Sequence, residues 1–128
     1  MKEIERNNKS FEDIKHTDEN GVEFWYAREL MPILQYSNWQ NFEKIVNKAK
    51  ISCENSNINV LDHFTDISKM VQIGSGAERK QQDYELTRYA CYLIAQNGDS
   101  RKKVIALAQT YFAVQTRKQE ITEKEYSM

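Results

Sequence analysis

The chain has 128 residues, 40% of them hydrophobic and 29% charged, with a formal net charge of −1. This length and balance fit one soluble globular domain with a core of its own. They exclude a disulfide-stapled scaffold, because Cys53 and Cys91 stand far apart with no CxxC partner. They also exclude a transmembrane helix, because the longest apolar run, 104–114, is short and holds Gln109 and Thr110.

The amino-terminal MKEIERNNKS is polar throughout and carries no apolar leader. A cytoplasmic location with two free thiols is expected, Cys91 being a small core residue. Charge is segregated along the chain. Residues 1–66 carry 8 Lys/Arg and 12 Asp/Glu, residues 67–118 carry 9 and 4, and the last ten are net −2. The whole chain does not advertise a nucleic-acid binder, yet the basic stretch is compatible with one positive face.

Residues 1–10 are expected to be a flexible amino terminus. Phe11 to Lys15 is expected to form a short strand. HTDENG follows as a turn, and Val22 to Tyr26 forms a second strand, since Asn20-Gly21 between apolar runs signals a hairpin. ARELMPILQYSNWQNFEKIVNKAK then reads as helix, tight turn, helix. The first helix spans 28–34, with Pro32 tolerable in its first turn. Ser37 is the expected N-cap of the second, with Gln40 completing a capping box. Phe42, Ile45, Val46 and Ala49 make its buried stripe.

Residues 51–59 read as a loop or a fraying helix end, because Asn and Ser compete with helical hydrogen bonds. Residues 63–73 read as a strand, Gly74-Ser75-Gly76 as a turn, and 79–84 as the return strand. This second hairpin carries Lys69, Arg79 and Lys80. It is either a wing for backbone phosphate or a solvated charged loop.

DYELTRYACYLIAQNGDSRKKVIALAQTYFAVQTR, 83–117, reads as a two-helix core. Leu86, Tyr89, Ala90, Leu93 and Ile94 form one apolar stripe. Asn97-Gly98 ends the first helix in a left-handed conformation, and Asp99 or Ser100 caps the second. The second buries Val104, Leu107, Ala108, Tyr111 and Val114, with Ala106, Ala108 and Ala113 permitting close approach. Arg101, Lys102 and Lys103 fall at its start, the end that disfavours cations, which points to an anionic partner or to a solvated run. Residues 118–128 lose the apolar pattern.

The runs RYACYLIAQN and YFAVQTR, with KMVQIGSGAERKQQDYELTRYACYLI and ARELMPILQYSNWQNFEKIVNKAKISC before them, resemble the DNA-damage-inducible protein D family. That family is grouped with the amino-terminal BRO domains of viral BRO proteins and phage antirepressors. The likeness covers most of 11–118. It implies an α+β domain at 11–118, BRO-N-like, in which a helix-turn-helix and small β-hairpins pack on a two-helix core. Related proteins continue into a further carboxy-terminal region, so 119–128 is expected to be a polar tail, either a linker to such a region or the end of a natural short form. Gln35 stands where related sequences usually have Gly in the turn.

The expected function is a non-enzymatic DNA-binding or regulatory domain in the bacterial damage (SOS) response, acting on duplex or single-stranded DNA. The alternative left open is a protein-interaction module acting on a recombinase–DNA filament or, like an antirepressor, on a repressor. A helix-turn-helix sets the start of its second helix in the major groove. There Asn38, Gln40 and Asn41 could pair with adenine, while Lys44 and Lys48 could meet phosphate. Residue types alone fit an ordinary helical hairpin with a solvated polar face, and the resemblance favours the DNA-binding reading. Trp39 is read as a packing ring. Lys69, Arg79, Lys80, Arg101, Lys102 and Lys103 complete the expected contacts.

No catalytic set is legible. His16 and His63 are isolated from any metal-ligand spacing. GSGAERK lacks the P-loop arrangement, and neither cysteine has a local base. No enzyme activity and no cofactor are expected.

Overall fold

The computed structural model describes residues 11–126, with side chains through Gln115 and at Arg117 and Lys118. The expected flexible segment at 1–10 lies outside the described residues. Strands β1 (His16–Thr17), β2 (Glu23–Tyr26), β3 (Phe64–Ile73) and β4 (Ala77–Leu86) form an antiparallel sheet of order β1-β2-β4-β3. Helices α1 (Ala27–Ile33), α2 (Trp39–Asn55), α3 (Arg88–Gln96) and α4 (Lys103–Tyr126) complete an α+β fold. The core is built from Trp25, Leu30, Phe42, Val46, Phe64, Leu86, Ile94 and Ile105, all essentially inaccessible to solvent.

The expected strand at 11–15 is a helical turn at 11–13. The reason is Phe11, whose ring stacks on Trp25 at 4.7 Å and meets Phe112 edge-on at 5.0 Å. Its carbonyl accepts the Trp25 indole N–H at 2.9 Å. Phe11 and Ile14 both face the core, a spacing of three that a strand cannot provide. The first hairpin therefore begins later, at His16. Asp18 Oδ1 accepts from the Asn20 and Val22 N–H groups, and Gly21 takes φ +79° to close the turn.

Pro32 lies near the end of α1, not in its first turn, because the helix starts at Ala27. Burial of Ala27 and Leu30 holds this short helix despite the lost hydrogen bond. On α2 the cap is Asn38 and not Ser37. Asn38 is extended and its side chain accepts from the Asn41 N–H at 3.0 Å. Ser and Asn cap about equally well. The choice falls to packing, which places Phe42, Val46, Ala49 and Cys53 inward and leaves Ile45 half-buried. The helix runs on to Asn55, so of the two readings of 51–59 the helix end holds for its first part and a turn follows.

Leu86 is not part of a helical stripe. It ends β4, opposite Trp25 and Phe64. Thr87 then caps α3 by accepting from the Ala90 N–H at 3.1 Å. The buried residues of α3 are Ala90, Cys91, Ile94 and Ala95, with Tyr89 and Leu93 at the margin. Asn97-Gly98 makes no left-handed cap, since Asn97 has φ −91°. Gly98 is needed for space: a Cβ there would stand 3.0 Å from Ile105 Cδ1.

Neither Asp99 nor Ser100 caps α4, which begins at Lys103. Asp99 instead folds its carboxylate back onto the Arg101 N–H. Among its described side chains Val104, Ile105 and Phe112 are buried, Leu107 is half-buried, and Val114 is 47% exposed. Ala113 is exposed as well, so only Ala108 of the three small residues packs against the core. The α4 backbone continues to Tyr126, through the segment expected to be a tail.

Arg88 fastens these pieces together. It donates to Glu23 at 2.9 and 3.1 Å and to Glu12 at 2.8 Å, while the Tyr111 hydroxyl donates to Glu12 at 2.9 Å. A cation at the start of α3 opposes the helix dipole, and the two carboxylates offset that. The hydrogen bonds to Glu23 lead in raising the Arg88 pKa, and the hydrogen bond from Arg88 leads in lowering that of Glu12.

Candidate nucleic-acid interface

The connection between α1 and α2 is a Schellman-type turn. The Tyr36 N–H donates to the Met31 carbonyl and the Gln35 N–H to the Pro32 carbonyl, both at 3.0 Å. Such a turn needs a left-handed residue after the helix, and Gln35 supplies it with φ +61°. A left-handed position of this kind is one where Gly would be the relaxed choice.

A cap from elsewhere in the chain sets α1. Its own N-cap residue, Tyr26, offers no side-chain cap. The buried carboxylate of Asp83, on β4, accepts from the Arg28 N–H at 3.0 Å. Arg28 then lies over the Trp39 ring at 4.1 Å and donates to the Gln82 carbonyl at 2.7 Å. Trp39 is a packing ring as expected, stacked near Tyr84 at 6.1 Å. No spacing in the sequence signals the Asp83 cap, since its partner is 55 residues away.

The inner side of α2 is fastened to β3 and β4. The Tyr84 hydroxyl donates to Glu43 at 3.2 Å, and Lys50 pairs with Asp66 at 3.6 Å while lying 4.3 Å from the Tyr84 ring centre. Burial, and then the negative charges of Glu43 and Asp66, push the Tyr84 phenol up to about 12.

This arrangement turns Glu43 away from the outer face. Gln40, Asn41, Lys44, Asn47 and Lys48 are exposed together along the first part of α2, and the exposed Glu54 follows on the same face near its end. Lys44 and Lys48 make no ion pair with a described residue. Asn47 escaped the sequence reading, although its spacing of three from Lys44 and seven from Gln40 marks the same face. Asn38 adjoins this stripe, but its side-chain oxygen is occupied by the cap.

The basic run before α4 arrives at the same end of α2. Lys102 Nζ lies 3.6 Å from the Tyr36 ring centre and donates to the Gln35 carbonyl at 3.3 Å. Arg101 is nearly fully exposed and pairs with Asp99 at 3.0 Å, which partly neutralises it. Lys103 is exposed at the first position of α4.

The second hairpin does not act as one basic unit. β2 reaches β4 only at Glu85 and Leu86, so the rest of the β3–β4 ribbon extends past the sheet. Strand alternation puts Lys80 on the side of Tyr84 and α2, and Arg79 and Lys69 on the other side. Arg79 and Lys80 are exposed. Lys69 is fastened down, 3.7 Å from Asp83 and 3.4 Å above the Tyr26 ring centre.

Among the described residues, no group of three or more His, Cys, Asp or Glu could hold a metal ion, and no helix is long and apolar enough to cross a membrane.

Residues 13–113 match the profile of the BRO family, N-terminal domain. The chain is similar to DNA damage-inducible protein D of Escherichia coli (strain K12), 51% identical over 115 residues. The match takes in 90% of this chain but 42% of that relative, so the chain spans less than half of its length. No solved structure matches. With the profile covering most of the described fold, the chain belongs to the BRO family and carries its N-terminal domain.

Proposed function

We propose that this is a DNA-binding, regulatory domain of the DNA-damage response, non-enzymatic, with α1 and α2 acting as a helix-turn-helix and α2 as the recognition helix. The observation that carries this reading is the outer face of α2. Gln40, Asn41, Lys44, Asn47 and Lys48 are exposed there, Glu43 is turned onto Tyr84, and the exposed Glu54 lies at the far end of the helix. Amides at the start of a helix suit adenine edges, and lysines along it suit phosphates. Lys102 beside the α1–α2 turn adds a cation at the end of the helix that enters the groove. Lys80, on the α2 side of the ribbon, is the better placed wing contact, with Arg79 reaching backbone from the other side.

The kinship with a DNA damage-inducible protein supports the cellular setting. The test is an electrophoretic mobility titration against duplex and single-stranded DNA at two salt concentrations. Duplex binding that weakens steeply with salt is expected, and the double variant Arg79→Ala, Lys80→Ala should flatten that dependence. Absence of salt-dependent binding to either DNA would leave the protein-interaction reading, directed at a repressor or a recombinase–DNA filament.

A further inference from the structure

We propose that two copies of this chain pair through the outer edges of their β3 strands, antiparallel, with Met70 on the two-fold axis. β3 is the last strand of the sheet, ten residues long, and no described element pairs with its outer edge. Exposed edges of this length are normally guarded by charge, proline or a bulge. β3 has only two charged residues, and both are engaged within the chain: Asp66 by Lys50 and Lys69 by Asp83. Its outer half instead exposes Met70 at 62% and Ile73 at 44%. The other free edge of the ribbon, on β4, is guarded by Glu78, Arg79 and Lys80, all exposed.

The occupant follows from the strand's own sequence. Residues 67–73 read Ile-Ser-Lys-Met-Val-Gln-Ile, close to a palindrome of polarity about Met70. A two-fold antiparallel pairing keeps like faces together, so a residue sits opposite one of the same parity. Centred on Met70, the register sets Ile67 against Ile73, Ser68 against Gln72, and Met70 against its copy. Lys69 then faces Val71 with its charge already held by Asp83.

Neighbouring registers are poorer. Centring on Lys69 opposes two ammonium groups. Centring on Ser68 sets Met70 against Asp66, and centring on Val71 sets Ile73 against Lys69. Apolar cross-strand pairs stabilise and like charges oppose, so the strand selects a second copy of itself and this register. The result is one sheet continuous across both copies. Under the DNA reading above, this symmetry asks for inverted half-sites. The pairing itself does not depend on that reading.

Sedimentation of the full chain at rising concentration tests the pairing, and cysteine cross-linking tests the register. The native Cys53 and Cys91 are buried and do not compete. Met70→Cys should form a cross-linked dimer under mild oxidation. Ser68→Cys and Gln72→Cys should each fail alone, because like positions are then about 14 Å apart at about 3.4 Å per residue. Mixed together, those two variants should cross-link. Met70→Asp should abolish the dimer and leave the thermal melt of the monomer unchanged, its side chain being exposed. A wild-type chain that stays monomeric throughout, a dimer that survives Met70→Asp, or cross-linking that ignores the register would overturn the proposal.

Discussion

The ammonium of Lys102 stands 3.6 Å from the centre of the Tyr36 ring, which joins the loop before α4 to the turn between α1 and α2. The contact explains why a basic run occupies the helix end that disfavours cations. The side chain of its second residue covers a neighbouring turn, packing its stem on Tyr36 with its charge at the surface. Lys102→Met should therefore keep the packing and remove the charge. Stability should change by about 0.5–1 kcal/mol at most, the size of an exposed cation–π contact. On the DNA-binding reading, affinity should fall alike for all sequences, and the salt dependence should drop by about one phosphate contact. Denaturant melts and binding titrations at several salt concentrations measure both.

Gln35→Gly should stabilise the domain. Gln35 holds φ +61° and its backbone N–H closes the turn at 3.0 Å, so its side chain contributes strain without contributing that bond. A left-handed residue with a Cβ costs about 1–2 kcal/mol. The greater freedom of Gly in the unfolded chain cancels about 0.4–1 kcal/mol of the gain. A net rise of about 0.5–1 kcal/mol in denaturant unfolding is expected. A loss of stability would mean that the Gln35 side chain makes a contact that outweighs its strain.

Gly98→Ala should destabilise, for a reason unrelated to φ. The added methyl would stand 3.0 and 3.1 Å from two carbons of the buried Ile105 and 3.3 Å from the Ala95 carbonyl. Overpacking of this kind costs about 1–3 kcal/mol. Gly98→Ala combined with Ile105→Val should recover part of the loss, since the valine lacks the nearest carbon. Thermal melts of the single and double variants decide this.

The sequence disclosed most of the secondary structure because it depends on local signals. The β3–β4 hairpin followed from alternation around Gly74-Ser75-Gly76, and α2 from the spacing of Phe42, Val46 and Ala49. The departures come from partners distant in the chain. Phe11 abandons a strand because Trp25 and Phe112 enclose it. Leu86 leaves the helical stripe because Trp25 and Phe64 flank it in the sheet. The outer face of α2 was legible from periodicity, short of Asn47. That Lys102 joins this end of the molecule while Lys69 is held on the far side of the sheet depends on tertiary contacts that residue types do not reveal.

The Tyr84 phenol makes stability fall at high pH. Its folded-state pKa is raised from 10 to about 12, so the folded protein retains a proton that the unfolded chain releases. The contribution is complete below 10 and is lost as pH rises through about 12. Tyr84→Phe should remove this part of the alkaline slope while leaving the ring stacked near Trp39. Melting temperature against pH for the two proteins, with tyrosinate absorbance as a second readout, measures the difference. Parallel curves would mean that Tyr84 ionises as a free phenol.

The recognition-helix proposal is tested most directly at Asn41 and Lys44. Both are exposed on α2, away from the Phe42, Val46 and Ala49 stripe. The Asn41 N–H serves the Asn38 cap, a backbone bond that a side-chain change leaves intact. Asn41→Ala should cost about 1–3 kcal/mol on a preferred duplex and relax the base preference at one position. Lys44→Ala should weaken binding without altering preference, because a phosphate contact carries no sequence information. Neither should move stability by more than about 0.5 kcal/mol, since both sites are exposed. Asn38→Ala is the contrasting control: loss of the cap should lower stability by about 0.5–2 kcal/mol, so weakened binding there reports the fold as well as the contact. If folded Asn41→Ala and Lys44→Ala proteins bind a selected duplex like wild type, α2 is not the reading element. Any DNA binding must then use another face, such as the ribbon bearing Arg79 and Lys80.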